Sequence, residues 1–176
     1  MESFPWTEAR IGVVADTHIP RRARALPEPV LRGLAGCDLI LHAGDIQVPE
    51  VLAELERLAP VRAVAGNVDP PDVAEQLGYV RILAVGPWRL GLVHGHRDPP
   101  ASAARRPRNT LERALATCPG VHCVVFGHSH MPLCKPIEGV LAFNPGSPTD
   151  RRRNPQPSYG LLWLNAAGIR GEIVYF

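Results

Sequence analysis

Residues 10–18, with the sequence RIGVVADTH, decide how this chain of 176 residues folds. The apolar run over residues 10–15 shows no polar alternation, which is typical of a strand buried on both faces. Asp16 and His18 follow as soon as the apolar run ends. We therefore expect a central strand that delivers polar side chains at its carboxyl end.

The same pattern occurs twice more before residue 70. Residues 37–45, CDLILHAGD, and residues 61–67, VRAVAGN, are apolar runs that each end in a glycine and a polar residue. Between these runs, residues 29–36 begin with proline and end with glycine, and residues 48–58 place apolar side chains at helical spacing. The order β-α-β-α-β predicts a mainly parallel sheet with its site beyond the carboxyl ends of the strands.

The second half of the chain predicts antiparallel pairing. Tyr79 begins two apolar runs that are joined by a Gly-Pro turn, which is typical of a hairpin. Asn109 and Glu112 have the spacing of a helix N-cap and its capping box. A further strand leads into residues 126–130, FGHSH, and two hairpins follow. We expect one α/β domain over residues 1–176, parallel in its first half and antiparallel in its second.

The composition excludes several classes of protein. Hydrophobic residues make up 45% and charged residues 20%, an ordinary balance for a globular domain. The longest apolar runs have about seven residues, far fewer than the roughly 20 that span a bilayer. A formal net charge of +2 gives no reason to expect strong nucleic-acid binding. Residues 1–10 show no signal peptide, so we expect a cytoplasmic protein. We also expect a monomer or a small homo-oligomer.

Polar side chains that could bind a metal stand at the ends of the predicted strands. In each Asp-x-His or His-x-His pair, the alternation of an extended chain would point both side chains the same way. We expect the whole set at one edge of one sheet. The candidates are Asp16, His18, Asp45, Asn67, His94, His96, His128 and His130.

The chemistry of this set indicates two divalent ions. Oxygen and nitrogen ligands without a thiolate suit Mn²⁺, our first expectation, or else Fe²⁺, Ni²⁺ or Zn²⁺. The ligands are too numerous for one tetrahedral zinc ion but sufficient for two ions that share a carboxylate. Asp45 is the natural bridge, and Gly44, Gly66, Gly95 and Gly127 would let the backbone approach the ions closely.

These motifs, taken in order, resemble the calcineurin-like metallophosphoesterases. The matching residues are Asp16-Thr-His18, Gly44-Asp45, Gly66-Asn67, His94-Gly-His96 and Gly127-His128-Ser-His130. The chain length and the stretch Asn144-Pro-Gly-Ser147 are similar to the small, single-domain bacterial and archaeal phosphodiesterases of that family. The resemblance implies an α/β fold in which two β-sheets pack face to face with helices outside, in four layers.

The resemblance also implies which residues bind which ion. One ion would be held by Asp16, His18, Asp45 and His130, and the other by Asp45, Asn67, His94 and His128. A hydroxide that bridges the two ions would then attack the phosphorus atom of a phosphodiester. Asp45, Asn67 and His96 would be the catalytic residues, with His96 either behind the ligands or facing the substrate.

One position departs from the family pattern. Many members carry a histidine directly after the asparagine ligand, where it can protonate the leaving group, but this chain has Val68 there. We therefore expect a phosphoesterase that prefers diesters with activated leaving groups, and a phosphomonoesterase or nucleotide phosphatase is the alternative. Asp69, the next residue, either orients a ligand or belongs to a turn before two prolines.

Arginine-rich segments follow several of the motifs. Arg21 and Arg22 come after the first motif, Arg105 comes after the fourth, and residues 151–153 come after Ser147. At the rim of the site, these guanidinium groups would bind phosphates of the substrate. The alternative is that they lie on solvated loops without a ligand.

The same fold also occurs in a different class of protein. The related subunit of eukaryotic retromer is a protein-binding scaffold, and residues 16–22, DTHIPRR, are similar to its beginning. That relative lacks part of the metal set, whereas each ligand position of this chain holds a competent residue. The sequence therefore favours an enzyme over a metal-poor scaffold.

Overall fold

The computed structural model describes residues 1–97 and 109–176 of the chain. Strands and helices alternate in the first part of these residues, and hairpins dominate the last part. In chain order, the elements are β1 Glu2–Phe4, β2 Ala9–Val14, α1 Glu28–Leu34, β3 Leu39–His42, α2 Glu50–Glu56, β4 Val61–Ala63, α3 Pro71–Leu77, β5 Val80–Val85, β6 Trp88–Val93, α4 Thr110–Thr117, β7 Cys123–Val125, β8 Leu133–Ile137, β9 Val140–Asn144, β10 Ser158–Asn165 and β11 Gly168–Tyr175.

The strands form two sheets. The five-stranded sheet has the order β11-β10-β2-β3-β4, and the six-stranded sheet has the order β1-β5-β6-β7-β9-β8. Strands β2, β3 and β4 are parallel, and so are β6, β7 and β9. The hairpins β5–β6, β8–β9 and β10–β11 add antiparallel partners. Each sheet therefore has a parallel centre whose strands end at one edge.

Alternate residues of the strands fill the space between the two sheets. Ile11 of β2 and Leu39 of β3 belong to one buried cluster with Leu92 of β6, Val125 of β7 and Phe143 of β9. Burial of apolar surface contributes about 25 cal/mol per Å². This shared core is what holds the two sheets face to face.

The remaining residues of the same strands face helices. Val14 of β2 shares a buried cluster with Val30 of α1 and Leu55 of α2, outside the five-stranded sheet. Val124 of β7 shares another cluster with Ala114 of α4, outside the six-stranded sheet. The sequence of layers confirms the predicted fold, in which two sheets pack face to face with helices outside. No helix among the described residues has the length and apolar character needed to cross a membrane.

Most of the predicted elements are confirmed, including the three hairpins. Asn109 caps α4 as expected, because its side-chain oxygen accepts the N–H of Glu112 at 2.9 Å. Two short elements were not predicted: β1, which pairs with β5, and α3. β1 has only three residues, which is too short to show a clear apolar period. α3 buries the neighbouring Val73 and Ala74, whereas α1 and α2, of the same length, each bury two apolar residues four positions apart.

Candidate metal centre

Five strands end beneath the candidate metal centre. β2, β3 and β4 of the five-stranded sheet end at Val14, His42 and Ala63, and β6 and β7 of the other sheet end at Val93 and Val125. The candidate ligands lie in the loops that follow these strands. The expectation that they share the edge of one sheet was wrong, because both sheets contribute loops to the site.

The ligand loops have an unusual backbone conformation. Asp16, His18, Asp45, His128 and His130 all have positive φ, between 45° and 65°. Residues other than glycine rarely adopt this backbone conformation, because their Cβ atom crowds the backbone. The expectation of an extended backbone was therefore wrong at these positions, although Asp16 and His18 do share one cluster. His128 and His130, by contrast, turn towards different clusters.

Asp16, His18 and His130 form the first cluster. One ligand atom of each lies within 4.8 Å of the others, and all three residues are buried. The Nε2 atoms of His18 and His130 are 3.2 Å apart, and Nε2 of His130 is 3.4 Å from Oδ1 of Asp16. Three lone-pair atoms at this separation can surround one cation.

Asp45, His94 and His128 form the second cluster, within the same limit of 4.8 Å. Nε2 of His94 is 3.3 Å from Oδ2 of Asp45 and 3.1 Å from Oδ1 of Asn67. Asn67 is exposed. Oδ2 of Asp45 is also 3.5 Å from Nε2 of His18, in the first cluster. The Asp45 carboxylate therefore stands between the two clusters.

Backbone carbonyl groups orient two of the histidine rings. Nδ1 of His94 lies 2.7 Å from the carbonyl oxygen of Ala43, and Nδ1 of His130 lies 2.6 Å from that of Asp150. Because a carbonyl group can only accept, Nδ1 carries the proton in both rings. Nε2 is then the atom of each ring that would bind a metal. Burial lowers the pKa of His94, but its hydrogen bond to Asp45 and the charges of Asp16 and Asp45 raise it overall, so Nε2 of His94 loses a proton when a metal binds.

Asp16 tests whether these residues fit a cation. Its Oδ2 is buried and, within residues 1–97 and 109–176, accepts no hydrogen bond. Burial raises the pKa of Asp16 to about 7 in the metal-free protein, although the nearby His94 opposes the rise. A buried carboxylate oxygen without a partner costs free energy, which a bound cation would recover. The residues present therefore fit a divalent metal.

The Asp45 carboxylate is held in its charged form. Burial alone would raise its pKa, but the hydrogen bond and charge of His94 outweigh burial, and the backbone N–H of Val68 adds a hydrogen bond. The net result is a pKa well below the ordinary value of an aspartate. A carboxylate that stays ionised can serve as a ligand without first losing a proton.

His96 belongs to neither cluster. Its ring centroid is 5.2 Å from that of His94 and 6.2 Å from that of His128, and it makes a T-shaped contact with the ring of Tyr79, with centroids 5.7 Å apart. Nδ1 of His96 is buried and has no hydrogen-bond partner among the described residues. The ring also lines an opening of about 520 Å³ that includes Asn67. His96 therefore stands beside the clusters, where it borders space that a substrate could occupy.

Asp69 connects two ligand loops. Its Oδ1 accepts the N–H groups of Ile46 and Gln47, both at 2.7 Å, and its Oδ2 accepts those of Gly66 and Asp45, at 2.7 and 3.1 Å. The turn after β3 and the turn after β4 are thus fixed to one carboxylate. Of the two alternatives left by the sequence, the orienting role agrees with this geometry.

His42 is a site residue that the sequence analysis did not identify. It is fully buried at the end of β3, where its Nδ1 accepts the N–H of Gly44 at 3.2 Å. Nε2 therefore carries the proton and donates to Oγ1 of Thr17 at 3.1 Å. The available signal was a histidine within an apolar run, since a polar group there must find a buried partner.

The segment Asn144-Pro-Gly-Ser147 is hydrogen-bonded to two of the ligand loops. Oγ of Ser147 donates to the carbonyl oxygen of Asp16 at 2.7 Å. The side-chain amide of Asn144 donates to the carbonyl oxygen of Gly127 at 3.0 Å. These hydrogen bonds tie the loops after β2 and β7 to the loop after β9.

The predicted substrate-binding arginines have different positions. Arg22 lies 3.3 Å from Oδ2 of Asp150, close to the first cluster. Arg21 is exposed and makes no hydrogen bond or ion pair with the rest of the described chain. Arg105 lies outside the described residues. Arg152, from the third arginine-rich segment, also approaches Asp150, at 3.9 Å.

Comparison with known proteins gives consistent matches over most of the chain. The model of the calcineurin-like phosphoesterase superfamily domain matches residues 10–167. A curated probable metallophosphoesterase of Methanothermobacter thermautotrophicus is 37% identical over 164 residues, which cover 93% of this chain and 91% of the relative.

Solved structures show the same fold. Wild-type Vps29 from Entamoeba histolytica, crystallised with Zn²⁺, has a TM-score of 0.70 and 27% identity, and covers 94% of this chain and 98% of its own. The structure of a novel archaeal phosphodiesterase has a TM-score of 0.65 and 21% identity. The match covers 94% of this chain and 99% of the phosphodiesterase chain. At that identity, the second likeness shows the fold alone.

Proposed function

Because the chain belongs to the calcineurin-like phosphoesterase superfamily, we propose that it hydrolyses phosphodiesters with two divalent metal ions. One observation carries the proposal: two clusters of ligand atoms converge, and the Asp45 carboxylate stands between them. Mn²⁺ is the first candidate, since the ligands are oxygen and nitrogen atoms without a thiolate. The first ion would be held by Asp16, His18, Asp45 and His130, and the second by Asp45, Asn67, His94 and His128.

The chain's own residues prepare the site for this chemistry. When bound, two such ions activate a water molecule and offset the negative charge of the phosphate. Backbone carbonyl groups hold the Nδ1 protons of His94 and His130, so Nε2 is the atom of each ring that would bind a metal. Asp45 stays ionised, and Asp69 fixes the loop that carries it. Such preorganisation avoids rearrangement of the ligands during the reaction.

Leaving-group protonation is the weak point of this site. Val68 contributes only its backbone N–H, which donates to Oδ1 of Asp45 at 3.1 Å. His96 is the remaining histidine at the substrate side, and burial lowers its pKa to about 4. An acid that is scarcely protonated at neutral pH gives little help to a poor leaving group. We therefore expect preference for diesters that release nitrophenolate.

The proposal is tested with chelator-treated protein, bis-p-nitrophenyl phosphate and added MnCl₂. Hydrolysis should depend on Mn²⁺ and should be lost in Asp45→Asn, whereas Asp72→Asn, which removes an exposed carboxylate of α3, should retain it. Without an efficient general acid, dialkyl phosphates should react at least about 100-fold more slowly than nitrophenyl diesters. Faster release from p-nitrophenyl phosphate would identify a phosphomonoesterase instead.

A second candidate function is that of a protein-binding scaffold. The likeness to Vps29 is the observation that favours it. Under this alternative, the wild-type protein would hydrolyse no ester in the presence of Mn²⁺. Metal binding alone would not exclude the scaffold, because the Vps29 structure contains Zn²⁺. Equilibrium dialysis followed by elemental analysis, together with the hydrolysis assay, separates the two candidates.

A further inference from the structure

One carboxylate gathers two arginine side chains beside the first cluster. Oδ2 of Asp150 is 3.3 Å from Nε of Arg22 and 3.9 Å from Nε of Arg152. The same oxygen is 3.9 Å from Nδ1 of His130, a candidate ligand of the first ion. Both guanidinium groups therefore stand on the His130 side of the centre.

The loop that carries Arg152 is fixed to the ligand loops. Oγ1 of Thr149 donates to the carbonyl oxygen of Thr17 at 2.5 Å. The side-chain amide of Asn154 donates to the carbonyl oxygen of His130 at 2.6 Å. Arg152 itself has a φ of 47°, a backbone conformation that residues other than glycine rarely adopt. A conformation that is costly by itself is maintained here by hydrogen bonds on both sides of it.

The two guanidinium groups retain unused binding capacity. Neither guanidinium group donates a hydrogen bond to another residue of the described chain, and the side chains of Arg22 and Arg152 are 63% and 51% exposed. Asp150 offsets only one of the two positive charges.

The side of the second cluster carries charges of both signs. The opening beside Asn67 and His96 is lined by the carboxylates of Asp69 and Glu75, and the guanidinium group of Arg97 lies 4.2 Å from the ring centroid of Tyr79 at the same opening. Beside the first cluster, Arg22 and Arg152 share the single carboxylate of Asp150. A second negative charge on the substrate would therefore be attracted towards this pair.

We propose that Arg22 and Arg152 form a subsite for a second phosphate group of the substrate. This inference rests on the proposed function of the metal centre and narrows its substrates to diesters with a phosphate on one arm. A pair of guanidinium groups suits this ligand, because each can donate two parallel hydrogen bonds to phosphate oxygens. Of the arginines that the sequence analysis expected at the rim, the subsite uses Arg22 and Arg152. It does not use Arg21, and Arg105 lies outside the described residues.

Calorimetry with two small ligands tests the subsite directly. Propyl phosphate has one phosphate, and 1,3-propanediol bisphosphate adds a second at the end of the same chain. The Mn²⁺-loaded wild type should bind the bisphosphate about tenfold more tightly, which corresponds to one charge-assisted hydrogen bond. Arg152→Gln should bring this ratio close to one, and higher NaCl should reduce it in the wild type.

Arg153→Gln is the matched control. It removes the same charge from the next position, where Arg153 is exposed and makes no hydrogen bond or ion pair with other described residues. It should keep the tenfold ratio. A wild-type ratio near one, or equal ratios in the two variants, would overturn the subsite. If the preference persists but no diester is hydrolysed, the subsite stands and the proposed function of the metal centre fails.

Discussion

At the scale of single residues, Asp69 has the largest predicted effect on the order of the site. It is the common acceptor for four backbone N–H groups from two ligand loops. Asp69→Asn keeps the shape of the side chain but replaces one oxygen with an NH₂ group that cannot accept. The donors that lose their acceptor cost about 1–3 kcal/mol each.

We therefore expect Asp69→Asn to lower the free energy of unfolding by about 2 kcal/mol or more and to weaken Mn²⁺ binding. Urea unfolding and calorimetric titration with MnCl₂ measure these two effects. The control Asp72→Asn removes a carboxylate of the same type in the first turn of α3, where it is exposed. Equal unfolding midpoints for the two variants would contradict the connecting role of Asp69.

His42 predicts a pH dependence of stability. Burial, assisted by the nearby charge of His94, lowers its pKa from 6.5 to about 3. The unfolded chain therefore binds a proton between these values that the folded protein does not, so stability falls as the pH drops below about 6.5. One such proton changes the free energy of unfolding by at most about 1.4 kcal/mol per pH unit.

His42→Gln should remove this contribution. In chelator-treated protein between pH 6.5 and 5, the variant should lose stability with a smaller slope than the wild type, by up to about 1.4 kcal/mol per pH unit. The comparison of slopes remains valid even if the variant is less stable at every pH. Parallel curves would show that His42 titrates normally in the folded protein.

The sequence analysis did not identify His42 and left two roles open for Asp69, for the same physical reason. His42 donates to the side chain of Thr17, and Asp69 accepts backbone N–H groups of residues 45–47, so both act on segments that are distant in the sequence. A spacing of ligand-type residues identifies side chains that could contact an ion. It does not identify the side chains that hold such loops in place, because almost any polar residue can do so.

At the scale of elements, the close approach of two ligand loops depends on Gly66. A Cβ atom at this position would lie 2.0 Å from Oδ1 of Asp45 and 2.4 Å from its backbone nitrogen. Gly66→Ala must therefore displace Asp45. We expect loss of at least one Mn²⁺ site and of phosphodiester hydrolysis, measured by elemental analysis and by nitrophenol release.

Gly120→Ala is the control for this substitution. Gly120 has a φ of 72° and open space around its Cβ position, so alanine there adds backbone strain without a clash. The control should lower stability by about 1 kcal/mol and keep both metal sites. Full metal content in Gly66→Ala would be incompatible with the loop arrangement.

The strands were predictable, whereas the conformation of the loops between them was not. An apolar run such as residues 10–15 predicts a buried strand because few other structures bury so many neighbouring side chains. The left-handed backbone of the ligand loops is fixed by tertiary hydrogen bonds instead. For example, the N–H of Asp16 donates to the carbonyl oxygen of Gly44 at 2.9 Å, and the N–H of His18 donates to the carbonyl oxygen of Asp45 at 3.0 Å.

At the scale of the whole molecule, the sandwich is what brings the ligand loops together. The sheet of β2 supplies Asp16, His18 and Asp45, and the sheet of β6 and β7 supplies His94 and the two late histidines. Sequence periodicity alone favoured one sheet, and only the resemblance to a known family implied two. The division of strands between sheets depends on long-range pairs such as β10 with β2, which no local pattern encodes.

Two divalent cations are expected to bind between the sheets, and anomalous diffraction provides the most direct measurement. Crystals soaked in MnCl₂ should give two anomalous peaks near the manganese absorption edge. One peak should lie among Asp16, His18 and His130, and the other among Asp45, His94 and His128. A map without peaks at these residues, or with a single peak elsewhere, would contradict the dinuclear centre.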